Sequence, residues 1–329
     1  MRVYSIDAFR IVAAFLVVSL HVTWIIPGFG TFMTDVERIA VPYFFMVSGY
    51  FYKREKTLPT IKRLVKYLFV AIISYFFVEW YIYRSTSFVS TEITVLYDYR
   101  FWICNVVPFC PVAWYLTSYI YILVIAFFIK QEKLYYLLGL FSLLFSLSIG
   151  AYSHIFNIQN VNSLMWDTCF ISSFCWFALG RWLRNRQDLF PKGEGGIFLL
   201  LTLLGIFMSI AEHYLIKRYT NAPVSGTVYI GTILSVVSLF IWLLKHPQLG
   251  NQLHVGRLPL FIFLSHVAIH YVYVSFFWTS KFSLSYPPLM ELPFPPYFLV
   301  NNVIVFISAC LLYFGWLQLL SYFKKKNEN

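Results

Sequence analysis

The chain has 329 residues, of which 60% are apolar or aromatic and only 12% are Asp, Glu, Lys or Arg. Soluble domains carry about twice that share of charge, and a mean hydropathy of +0.70 leaves too little polar surface for a water-soluble fold of this size. A cytosolic enzyme, a disordered chain and a disulfide scaffold are therefore excluded, and a formal charge of +11 is better read as membrane topology than as affinity for nucleic acid. The fold class is all-α, a polytopic transmembrane bundle. A span needs about 20 mostly apolar residues, and ten candidates follow in order: 4–26, 36–52, 62–83, 111–129, 134–151, 165–183, 196–215, 224–244, 258–278 and 297–320. The first could mimic a signal peptide, but Asp7 and Arg10 interrupt its apolar run, so it reads as a retained helix. The second is the weakest, being interrupted by Arg38, Pro42, Ser48 and Gly49.

Orientation follows from the cations. With the N-terminus inside, 18 of the 25 Lys and Arg fall in inner segments, 6 fall outside and Arg10 lies within helix one. This bias fits ten helices with both ends cytoplasmic. The bundle is expected to occupy 1–323 as one domain, with 324–329 as a short basic tail. The long loops are 84–110, 184–195 and 279–296. The last is rich in proline and reads either as a stiff cover over a site or as a plain connector. Cys104 and Cys110 share an outer loop, where a bridge between them is conceivable, although cysteines in such a chain mostly fill apolar space.

Ionisable groups inside so apolar a chain are expensive and mark cavities or partners. Asp7 and Arg10 are three residues apart and share a helix face. His21 follows Arg10 by eleven residues, close to three turns, which puts it on the same face about 16 Å farther along the axis. In helix two, Pro42 and the Ser48-Gly49 pair suit either close helix packing or a broken segment around a polar cavity, with Arg38 offered to an anionic or carbonyl group. Trp114 would sit in an interfacial aromatic belt. Glu212-His213 lies near the outer end of helix seven. His266 and His270 form an i,i+4 pair in helix nine, but a zinc site needs a third ligand, and no metal is expected.

The stretch IDAFRIVAAFLVVSLH (6–21) resembles the opening of the acyltransferase 3 family of integral membrane acyltransferases, whose members share an Arg, ten intervening residues and a His in helix one. FFMVSGYF (44–51), with Arg38 upstream, looks like the family's second signature. WYL (114–116) and FIFLSH (261–266) look like weaker ones. Within the family, the RIAVPYFFMVSGYF form and Glu212 in AEHYLIKRY are similar to two subgroups, the stand-alone O-acetyltransferases of surface polysaccharides and the membrane domain of VanT-type serine racemases. The chain stops at Lys326–Asn329 without a racemase half, which favours the stand-alone expectation.

The resemblance implies an acyl-CoA co-substrate, most often acetyl-CoA, as donor on the cytoplasmic side. It implies a hydroxyl acceptor on a glycan or lipid-linked sugar, a location in the bacterial cytoplasmic membrane among membrane lipids, and modification of the cell envelope. No nucleic-acid partner is expected, and a homo-oligomer is left open. His21 would act as base or as a transient acyl carrier, with Arg10 and its neighbour Asp7 in the catalytic group. Arg38 would hold donor phosphates or developing oxyanion charge. Ser48, Tyr50, Trp114, Glu212 and His266 would bind substrate, and Arg63 and Lys66 would guide the anionic CoA. With the donor inside and His21 toward the outside, a single polar tunnel joining Arg10, His21 and Glu212 is expected, whereas tight apolar packing around His21 would oppose catalysis there. The alternative is a transporter of a small solute such as serine.

Overall fold

The computed structural model describes residues 3–21, 29–83, 87–156, 158, 168–187, 195–220, 228–253, 255–279 and 296–328. These are helical throughout, apart from connecting turns. A helix stands on each of the ten expected spans: α1 (Tyr4–His21), α3 (Ala40–Tyr50), α4 (Thr57–Tyr83), α7 (Trp114–Phe128), α8 (Glu132–Ile149), α9 (Phe170–Asn185), α10 (Gly196–Thr220), α11 (Ile230–Lys245), α12 (Leu258–Thr279) and α13 (Pro296–Glu328). Three shorter helices were not expected: α2 (Phe29–Glu37), and α5 (Ser87–Thr94) and α6 (Tyr99–Trp102) within the long 84–110 loop. Among the described residues, α1, Pro111–Phe128, α8, α10 and Asn301–Tyr322 are long and apolar enough to cross a membrane, and Ile230–Lys245 and Leu258–Tyr273 are shorter apolar helices. The chain is an integral membrane protein. The proline-rich stretch of 279–296 falls almost wholly outside the described residues.

Helix two breaks differently from a proline kink. The chain turns at Arg38–Ile39, between α2 and α3. Pro42 then sits in the first turn of α3, where a missing N–H costs nothing because that N–H has no intrahelical acceptor. Of the two alternatives for helix two, the broken segment is the one found, with Pro42 at a helix start and Arg38 at the break itself.

Helix α3 is the hub. It packs on α1, α9 and α11. Its contact with α9 is backbone on backbone: a Cβ on Gly49 would lie 1.9 Å from the Phe177 carbonyl oxygen, and one on Gly180 would lie 2.0 Å from that of Met46. Glycine is required at both places because nothing larger fits. Cross-bonds from buried polar groups tie the remaining helices together, as expected where lipid offers no competing partners. Tyr43 donates to the Ile6 carbonyl at 2.8 Å, Ser5 to the Leu243 carbonyl at 2.6 Å, and Asn302 to Ser19 at 3.1 Å. Cys104 and Cys110 are buried and are not joined by a disulfide.

Candidate active site

Three cavities lie in succession beside α1 and α12. The first, of about 280 Å³, is a mouth lined by Lys53, Lys56, Thr57 and Thr60, with Arg10, Ser48, Tyr115 and Tyr119 at its inner end. The second, of about 150 Å³, is a throat between Arg10, Ser48, Tyr115 and Tyr119 on one side and Leu64, Leu116, Pro259, Leu260 and Phe263 on the other. The third, of about 290 Å³, is a chamber whose walls include His21, Arg38, Pro42, Trp114, Ser172, Ser173 and Trp176. Mouth and throat share five lining residues. Throat and chamber share one, Phe263.

The helix register explains this order. Arg10 and His21 project from one face of α1, three turns apart. Arg10 looks into mouth and throat and holds Asp7 at 3.3 Å, so its guanidinium is oriented by its own helix. His21 closes α1 with its ring exposed at the chamber. Opposite, α12 runs alongside and presents Pro259 and Leu260 at the throat, Phe263 at the junction and His266 beside His21. The two imidazoles stand 5.0 Å apart, centre to centre.

His266 is almost wholly buried, 1% exposed. Its Nδ1 lies 2.7 Å from the Phe263 carbonyl and 3.2 Å from that of Ile262. Both partners are acceptors, so Nδ1 carries the proton and Nε2 is left as a bare acceptor. That Nε2 has no partner among the described residues. The fixed tautomer makes His266 a group that can receive a proton on one atom only.

Tyr75 of α4 steadies this stretch. Its hydroxyl donates to the Leu264 carbonyl at 3.0 Å and accepts from the Ala268 N–H at 3.2 Å. The phenol thereby joins the i,i+4 ladder of α12 on the turn that carries Phe263 and His266. Sequence reading missed Tyr75, because one tyrosine among 25 gives no signal.

Other expected residues are dispersed. Trp114 lines the chamber, and Ser48 lines the mouth and throat while donating to the Phe44 carbonyl at 2.9 Å. Tyr50 stands away from all three cavities: it accepts a hydrogen bond from Gln187, and Arg184 stacks over its ring at 5.4 Å. Arg63 and Lys66 lie on the exposed face of α4 and are not among the lining residues, whereas Lys53 and Lys56 are.

Glu212 also lies apart from the cavities. It accepts from the backbone N–H of Ile230 at 3.0 Å and of Gly231 at 2.9 Å, and from the Tyr152 hydroxyl. It thus caps the start of α11, where orphan donors and the helix dipole favour a carboxylate. Burial first, and the bond to Glu212 second, push the Tyr152 phenol above its ordinary pKa, so Tyr152 remains a donor. Arg10 and His21 therefore open onto adjoining cavities, while Glu212 belongs to a helix end. Nearby, His213 Nδ1 meets Asp35 Oδ1 at 3.0 Å, with both side chains buried. That pair ties α10 to α2. It was missed because Asp35 stands just before the expected start of helix two.

A family model described as an acyltransferase domain, acyltransferase 3, matches residues 3–321. A serine/alanine racemase of Enterococcus gallinarum is 23% identical over 300 residues, covering 81% of this chain. The chain spans 40% of the length of that curated relative. No solved structure matches the chain.

Proposed function

We propose that this chain, which belongs to the acyltransferase 3 family, is a membrane O-acyltransferase that moves an acetyl or other short acyl group from acyl-CoA to a hydroxyl of a cell-surface glycan or lipid-linked sugar. The observation that carries this reading is the pairing of a cation-lined mouth and throat with a histidine-lined chamber, separated by one aromatic ring. A bisubstrate transfer needs two approaches that meet.

The mouth suits the anionic donor. Lys53 and Lys56 supply charge for CoA phosphates, and Arg10, held by Asp7, stands where a thioester arm enters the throat. The chamber suits the acceptor: Trp114 and Trp176 offer the flat apolar faces that sugar rings pack against, and Arg38 offers a guanidinium to polar oxygens. His21 takes the acceptor hydroxyl proton, and the oxygen attacks the thioester carbonyl carbon. The carbon–sulfur bond breaks, the electron pair leaves with sulfur, and the proton held by His21 passes to the thiolate. The products are an O-acyl ester and free CoA thiol. Arg38, in the chamber with His21, stabilises the tetrahedral oxyanion. His266 Nε2 provides a fixed acceptor beside the His21 ring. With the N-terminus inside, the mouth faces the cytoplasm of a bacterial plasma membrane, which holds the donor.

The test is acyl transfer from labelled acetyl-CoA to envelope glycans by purified protein, beside His21→Ala. Transfer by the wild type and none by the variant supports the reading. The likeness to a serine/alanine racemase favours a second reading, in which the same cavities carry a small solute such as serine. Serine flux in proteoliposomes without acyl transfer to any glycan would replace the first reading by the second.

A further inference from the structure

The throat ends on an aromatic wall. Phe263 is 4% exposed and is the single lining residue common to throat and chamber. Its ring sits 5.0 Å from that of Tyr115 and 6.1 Å from that of His266, so it is flanked on both sides. Its backbone is fixed as well: its carbonyl accepts from His266 Nδ1 at 2.7 Å, and Tyr75 is bonded into α12 at the next residue. A ring held in this way is a fixed boundary at which throat and chamber adjoin.

The space in front of it is small and mostly apolar. About 150 Å³, walled by Leu64, Leu116, Leu260 and Phe263, is the size of an apolar cavity that accommodates one benzene molecule. Polar groups, Arg10 and Ser48, stand toward the mouth end. The throat therefore offers polar groups near its opening and a hydrocarbon end at Phe263, where it adjoins the chamber.

We propose that Phe263 is the end wall of the donor's acyl pocket and sets the length of acyl chain that the protein accepts. This rests on the reading of mouth and throat as the acyl-CoA site. A short chain of two to four carbons fits in front of the ring. A longer chain meets it and draws the CoA moiety back from Lys53 and Lys56. Removing the ring joins throat to chamber and gives the longer chain somewhere to go, where each added methylene gains apolar contact rather than losing it.

The experiment measures binding of non-hydrolysable ketone analogues of acetyl-, butyryl- and octanoyl-CoA to the purified full chain in detergent, for wild type, Phe263→Leu and Phe263→Ala. The leucine variant preserves the fold if the alanine variant does not, and monodispersity on gel filtration confirms it. In the wild type, affinity is expected to fall about tenfold or more from butyryl to octanoyl. In Phe263→Ala the order levels or reverses, and Phe263→Leu lies between. The same dependence on chain length in all three proteins overturns the end wall while leaving the donor site standing. A wild type that binds none of the analogues overturns the donor reading itself, and the end wall with it.

Discussion

Two polar neighbourhoods in this bundle differ in one respect. Around His21 and Trp114 the side chains line space. Around Glu212 and the Asp35–His213 pair they surround each other. In the second neighbourhood Glu212 meets two N–H groups and a phenol, and Asp35 meets an imidazole. In the first, His21 faces a chamber and the bare Nε2 of a second histidine. A polar group in an apolar chain thus has two separate explanations, and the presence of charge alone does not choose between them. Groups that complete the protein's own hydrogen bonding hold helices together. Groups left facing a cavity are available to a substrate.

Substitutions on the two sides of this divide should separate activity from stability. The largest effect is expected for His21→Ala: acyl transfer falls by about 10²–10⁴-fold, the range of a lost general base, while thermal unfolding in detergent moves little. A parallel loss of both would place His21 with the structural groups. Next is Asp35→Ala, which leaves buried His213 without its partner and should destabilise by about 1–3 kcal/mol, read as a lower unfolding midpoint with turnover per folded molecule retained. Glu212→Gln should cost about 0.5–2 kcal/mol, the worth of a helix cap, and leave the KM for acceptor unchanged; a raised acceptor KM would move Glu212 into the site. The smallest effect is expected for Lys53→Ala with Lys56→Ala. Both residues are exposed, so salt screens them, and the double variant should raise the KM for acyl-CoA a few-fold at low ionic strength and converge on wild type at high salt.

Much of the fold was legible because lipid imposes a coarse rule. Runs of apolar residues marked ten segments, and each carries a helix, five of them with a stretch long and apolar enough to cross a membrane. What escaped was short or local. The α2 and α5 segments are too brief and too polar to register as spans. Helix two was open to close packing or to a broken segment, and the break that exists lies at Arg38–Ile39, not at Pro42, which is harmless in a first turn. The site was legible where two residues sit on one helix: Arg10 and His21 were tied by spacing alone, and their cavities adjoin. It was illegible where helices far apart in sequence meet. Nothing in the order of residues announces that Phe263, Tyr75 and Tyr115 converge, or that Glu212 lies at the start of α11. Lys53 and Lys56 were passed over in favour of Arg63 and Lys66 because every cation near the inner surface looks alike until helix rotation is known.

Helix α13 has a consequence of another kind. Only 11% of its apolar window is buried, the lowest share among the long spans, and no cavity lining described above includes it. Its 22-residue apolar segment, Asn301–Tyr322, measures about 33 Å at 1.5 Å per residue, against a hydrocarbon core of about 30 Å. Apart from Asn302, Val305 and Ala309, which are buried against the bundle, its sequence is therefore answerable to the lipid rather than to neighbouring side chains. Exchanges among Leu, Ile, Phe and Val on its outward face should pass unnoticed. A single Arg at mid-depth would meet an insertion penalty of about 2.5–3.5 kcal/mol. Bilayer thickness, a property of the host membrane and not of the protein, is what this helix has been fitted to.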